Sequence, residues 1–106
     1  MTDIALLHAT FASQAEAERV AETVLAERLA ACVNIHAPCI SIYRWRGAIE
    51  RAEEVPALFK TTPILARRLR DRIAALHSYE LPVIEAWPAS ANEAAASWID
   101  AETGTR

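Results

Sequence analysis

The side chains in this sequence best suited to chemistry are metal donors: His8, His36 and His77, Cys32 and Cys39, and fourteen carboxylates. Imidazole and thiolate suit soft or borderline divalent ions. No segment spaces them as a metal motif. Cys32, His36 and Cys39 fall within eight residues, but in an extended strand 32 and 36 share a face while 39 points the other way unless Pro38 bulges the chain. Their plainer reading is two buried free thiols. Tyr79-Glu80 offers a phenol and a carboxylate to a ligand in a subunit crevice, or else the tyrosine anchors a turn through its hydroxyl. Lys60-Thr61-Thr62 runs into a helix start, where free N–H groups favour an anion or are simply capped.

Catalytic signatures are missing. The sequence has no glycine-rich phosphate loop, nucleophile elbow or locally spaced Ser-His-Asp set, so the expectation is a protein that is not an enzyme and carries no organic cofactor. Arg67, Arg68, Arg70 and Arg72 invite a nucleic-acid reading, but at 100° per residue they turn away from or flank the Leu65, Leu69, Ile73 stripe. They form a solvated helix face. With 11 basic and 14 acidic side chains, the formal charge is -3, which removes the long-range attraction that non-specific nucleic-acid binding uses.

The chain is 106 residues, the size of one domain, 1–106. Its hydrophobic fraction is 53%, but 23 of those residues are alanine, so the bulky core must come from Leu, Ile, Val and a few aromatics. No apolar run approaches the ~20 residues that span a bilayer, so no membrane-spanning helix is expected. Asp3 and the absence of a basic flank argue against a secretory signal, and two cysteines make no disulfide scaffold, so the expected compartment is cytoplasmic.

These residues must be positioned by a small set of elements. Residues 4–10 are apolar on both alternating faces and read as a strand covered on two sides. Ser13 and Glu16 form a capping box for a helix from about 14 to 30, with Val20, Val24, Leu25 and Leu29 at helical spacing. Residues 32–46 are β-rich with a break at Pro38, Gly47 turns the chain, and 49–60 return as a long hairpin. Thr62-Pro63 starts a one-sided helix to Leu76, with the Thr62 hydroxyl as its cap. Leu81–Trp87 reads as a fourth strand bracketed by prolines, and Ser90 with Glu93 as a second capping box before a short Ala-rich helix. The order β-α-β-β-α-β plus a short C-terminal helix predicts an α+β, ferredoxin-like split βαβ sandwich with an antiparallel sheet. Two helices cover only one face, so Tyr43, Trp45 and Trp98 are expected at interfaces between copies of the chain.

The run Ala30-Ala31-Cys32-Val33-Asn34, then Ser41 to Glu50, Glu54-Val55, Lys60-Thr61-Thr62, His77-Ser78-Tyr79-Glu80-Leu81-Pro82, Pro88 and Trp98 resembles the CutA family of divalent-cation tolerance proteins, in order and spacing over nearly the whole chain. The resemblance implies a ferredoxin-like subunit in a homotrimer, and a metal-tolerance role in which divalent ions, copper among them, are bound. It also implies similarity to PII-type signal proteins, which leaves a regulatory module holding a small ligand or partner between subunits as the alternative. Carried over by position, the family's proposed ligands fall at His77 and His8. The sequence departs from the family pattern at Leu76, at Ser78 and at Val83, where Glu is usual; Glu85 stands two residues on, on the same strand face.

Overall fold

In the computed structural model, which describes residues 1–104, the elements run β1 (Thr2–Phe11), α1 (Gln14–Ala26), β2 (Cys32–Ile35), β3 (Cys39–Trp45), β4 (Ala48–Thr61), α2 (Ala66–Leu76), β5 (Ile84–Ala91) and α3 (Glu93–Ala101). The last two positions of the expected domain lie outside the described residues. The sheet order is β2-β4-β1-β5, all antiparallel, with β3 pairing the first half of β4. This is the ferredoxin-like arrangement the sequence predicts.

Strand β1 is central, and its alternation sorts the two faces. Leu7, Ala9 and Phe11 point to α1 and α2 and join Val20, Val24, Phe59, Leu69 and Ile73 in the main core. Burial of each large side chain there contributes roughly 1.5–3 kcal/mol. Ile4 and Leu6 point the other way and pack beneath α3 with Ala96 and Ile99. Beyond α3 the rest of that face is open.

Strand β4 is long enough to outrun β1. Pairing between them ends at Phe11↔Val55, so residues 48–54 pair only with β3 and form a two-stranded arm. Its tip is a two-residue turn in which Arg46 and Gly47 both take positive φ, 48° and 83°, the geometry whose twist matches a tight hairpin.

Five details differ from the sequence reading. Helix α1 stops at Ala26 rather than near 30, because Arg28 adopts φ 60° and the Leu29 N–H bonds to the Val24 carbonyl, a helix end usually marked by glycine. The Arg28 side chain then donates to the carbonyls of Gly104 and Ala101, tying the turn to the chain's C-terminal end. The Thr62 hydroxyl makes no cap; Pro63–Leu65 form a 3-10 turn in which the Leu65 N–H bonds the Thr62 carbonyl, and α2 starts at Ala66. The last strand runs three residues later than predicted, with Pro88 inside it, which its edge position tolerates. Ser90 therefore lies in β5 and bonds Asp3, while Asn92 precedes α3 without a side-chain cap. Cys32 and Cys39 are free but half-buried rather than buried.

Candidate functional site

The arm, the open sheet face and the loop after α2 enclose a cavity of about 520 Å³. Ser41, Tyr43, Trp45 and Glu54 enter from the arm, His8, Thr10 and Glu85 from the sheet, and Tyr79, Glu80, Leu81 and Val83 from the loop. Strand alternation puts Ser41, Tyr43 and Trp45 on one side of β3 and aligns Tyr43 with Glu50 and Cys39 with Glu54 across the hairpin.

Glu54 is the buried charge of this cavity, with 9% of its surface exposed. Its Oε2 accepts the Tyr79 hydroxyl at 2.7 Å and the Thr10 hydroxyl at 3.1 Å. Burial pushes its pKa up, but hydrogen bonds from Ser41, Tyr79 and Thr10 outweigh burial and hold the carboxyl below its ordinary value of 4.5. The same environment drives the Tyr79 phenol well above its ordinary value, chiefly through burial and then through the bond to Glu54.

Tyr79 is placed by the histidine before it. The His77 ring stacks on Phe11 at a centroid separation of 4.6 Å; its Nδ1 accepts the Tyr79 N–H at 3.1 Å, so its Nε2 donates to the Thr10 carbonyl at 2.8 Å. This pair of bonds requires the neutral tautomer protonated on Nε2. Glu16 braces the same loop from α1. Its amide N–H donates to the Ser13 hydroxyl oxygen, as the capping box predicts, but its carboxylate accepts the N–H groups of Ala12 and Ser78 rather than that of Ser13.

His8 stands on the open face. It lies opposite Glu85 in the β1–β5 ladder, and its Nδ1 is 2.9 Å from Glu85 Oε1. A carboxylate on one ring nitrogen fixes the tautomer and presents the other nitrogen as a donor. That chemistry fits a borderline divalent ion, but no group of three or more His, Cys, Asp or Glu side chains converges among the described residues. The fold does not bring His77 to His8. His8 shares the cavity face with Thr10, whereas His77 packs against Phe11 on the helix side with both nitrogens engaged by the backbone. Cys32, His36 and Cys39 likewise assemble no cluster.

Tyr43 and Trp45 line the cavity with 43% and 36% of their surfaces exposed, and Trp98 is exposed on α3. Tyr79 reaches Glu54 on β4 rather than anchoring its own turn. Thr61 is buried and donates to the Leu29 carbonyl. Arg72 forms a two-pronged bond with Glu27, both contacts 2.8 Å, so one of the four arginines clasps α1 to α2. Thr10, Ser41 and the charge on Glu54 are not singled out by the sequence; the signal available is the Glu53-Glu54 pair directly ahead of the apolar half of β4.

The CutA1 divalent ion tolerance protein family matches residues 5–102 of this sequence. The chain belongs to the CutA1 family. It is 39% identical over 105 residues to the divalent-cation tolerance protein CutA of Thermus thermophilus, covering 98% of this chain and all of the relative. A CutA relative from Pyrococcus horikoshii is 37% identical, covering 92% of this chain and 96% of its own length. Among solved structures, CutA1 from Ehrlichia chaffeensis superposes with a TM-score of 0.92 at 31% identity over 99% of both chains. The structure of the periplasmic divalent cation tolerance protein CutA from Archaeoglobus fulgidus matches with a TM-score of 0.89 at 38% identity, over 93% of this chain and 97% of that one. CutA1 membership supports a metal-tolerance role, and the relatives' names describe tolerance rather than a reaction. The segments that carry the CutA resemblance, Ser41 to Trp45, Glu54 and Tyr79-Glu80, meet at this cavity.

Proposed function

We propose that this chain works as a homotrimer that binds divalent metal ions, copper among them, and serves metal tolerance by coordination without turnover. The observation that carries the reading is His8 held by Glu85 at the wall of an open cavity, one imidazole nitrogen oriented and the other left to donate. The donor is His8; His77 acts in support, because its nitrogens are spent on Thr10 and Tyr79. One chain supplies too few donors to close a site, so further ligands come from a neighbouring copy.

Assembly is supported by the arm. Residues 48–54 have a backbone edge that β1 does not reach, and Ile42, Tyr43, Trp45 and Ile49 are exposed around it. Such an edge with apolar flanks favours pairing with another chain. Trimer is the number implied by the family resemblance. The two free cysteines support the cytoplasm as the compartment, which subcellular fractionation would check.

Calorimetric titration of metal-free protein with Cu(II) and Zn(II) tests the site. Uptake should weaken at least about tenfold in His8→Ala and weaken less in Glu85→Gln. Uptake unchanged in His8→Ala would reject this donor. The cavity itself favours a second reading, a regulatory module of PII-like type that holds a small ligand; a thermal-shift screen in which only metals stabilise the protein would count against it.

A further inference from the structure

The contacts between copies described above use the arm and the open sheet face, which leaves the layer of α1 and α2 turned outward. Its two helices carry opposite charge. The exposed ionised side chains of α1 are Glu18, Arg19 and Glu22; those of α2 are Arg67, Arg68, Arg70 and Asp71. Arg70 is matched by its neighbour Asp71 at 3.0 Å, and the half-buried Arg72 by Glu27 at 2.8 Å. Glu18, Glu22, Arg67 and Arg68 enter no ion pair among the described residues. Each unmatched set stands beside an exposed aliphatic side chain. Glu18, Glu22 and Leu25 follow helical spacing and share one stripe of α1, where Leu25 is 38% exposed. Ile64, 90% exposed, lies about one turn ahead of Arg67 and Arg68.

We infer that this helix layer docks on the same layer of a second copy from another assembly, so that Arg67 and Arg68 of each chain meet the acidic stripe of the other. The two helices run antiparallel: Glu16, in the first turn of α1, accepts the N–H of Ser78 just beyond α2, while Glu27, just after α1, holds Arg72. The start of α2 therefore lies level with the end of α1. A two-fold axis parallel to the helices sets α2 of one chain over α1 of the other at equal height, with Arg67 and Arg68 against Glu22 and Ile64 near Leu25. Such a contact is isologous, so one docking event forms both sets of pairs. Stacking α2 on α2 would instead crowd the unmatched guanidinium groups of both chains, and like charges facing each other suppress that arrangement. A second copy also fits better than a nucleic acid, which would set phosphate against Glu18 and Glu22 on a chain of formal charge -3. That charge makes copies repel at long range, so docking belongs to high protein concentration. The inference is independent of the metal reading, which rests on His8 and Glu85.

Sedimentation velocity of metal-free protein, from micromolar to millimolar concentration, tests this, with Glu18→Lys/Glu22→Lys and Arg67→Glu/Arg68→Glu as opposite charge reversals. The expected result for wild type is a reversible species at least twice the mass of the basal assembly, populated as concentration rises. Its dissociation constant should increase about tenfold or more in either variant. Mixing the two variants in equal amounts should restore it, because each chain then meets the opposite charge on both helices. Ile64→Ser, which keeps every charge, should weaken it too, and carries the test if a reversal fails to fold. A single basal mass for wild type at every concentration, a heavier species unchanged by the substitutions, or a mixture of reversals that stays apart would each overturn the inference. A change in the basal mass itself would move these residues into the basal interface and overturn it as well. Loss of metal uptake in His8→Ala with the heavier species intact would leave it standing.

Discussion

The hydroxyl of Tyr79 donates to Glu54 Oε2 at 2.7 Å, joining the loop after α2 to a strand twenty-five residues earlier. The bond fixes the cavity floor, since His77 positions the Tyr79 backbone while Glu54 holds the ring's far end. Removing it with Tyr79→Phe leaves Glu54 with Thr10 and Ser41 only. Hydrogen bonds to charged groups contribute about 1.5–3 kcal/mol, so chemical denaturation should show a loss near the lower figure for this half-buried pair. An unchanged midpoint would contradict the role given to the bond.

The same tyrosine sets an alkaline limit. Its folded pKa is raised above the ordinary value of 10.0, so the stability it contributes is fully present below pH 10 and lost as pH rises beyond it. Wild-type protein should therefore lose stability above pH 10 more steeply than Tyr79→Phe, measured as denaturation midpoint against pH.

Acid should act through Glu16 and Glu54. In both, burial raises the pKa but hydrogen bonds outweigh it: from Ser78 and Ala12 for Glu16, and from Ser41, Tyr79 and Thr10 for Glu54. Each folded pKa lies below 4.5, so the stability they contribute is present above pH 4.5 and lost as pH falls through the folded values. Glu16→Gln should flatten this acid limb. It should also cost about 1–3 kcal/mol at neutral pH, because an amide offers one acceptor oxygen to two backbone N–H groups. An acid limb equal in wild type and variant would contradict the assignment.

Most of the fold was legible because period and punctuation agree: the short apolar run of β1, the four-residue step of Leu65, Leu69 and Ile73, Pro38 between β2 and β3, and Gly47 at the arm's tip. The misread boundaries are those decided by tertiary contacts. Arg28 ends α1 in a conformation glycine normally marks, and its compensation is two carbonyls more than seventy residues away. The site was legible in part. His8, Tyr43, Trp45 and Tyr79 could be picked as candidates, but that Glu85 faces His8 and that Glu54 faces Tyr79 follows from strand register and loop packing, which no local spacing encodes. His77 is a ligand candidate by the family resemblance, and only its neighbours show both nitrogens engaged.

Arg28→Ala keeps the strained backbone and loses both side-chain bonds, for a cost of about 1–3 kcal/mol in denaturant midpoint experiments. Arg28→Gly also loses the bonds but relieves a left-handed strain of about 1–2 kcal/mol, so it should be the more stable of the two variants. The reverse order would contradict the helix-end assignment.

Native mass spectrometry of the metal-free protein, repeated after addition of Cu(II) and with His8→Ala alongside, tests the central claim most directly. The account predicts a three-chain mass before metal, bound copper after it, and reduced uptake in the variant with the trimer intact. A monomer, or a trimer that takes up copper equally with and without His8, would contradict it.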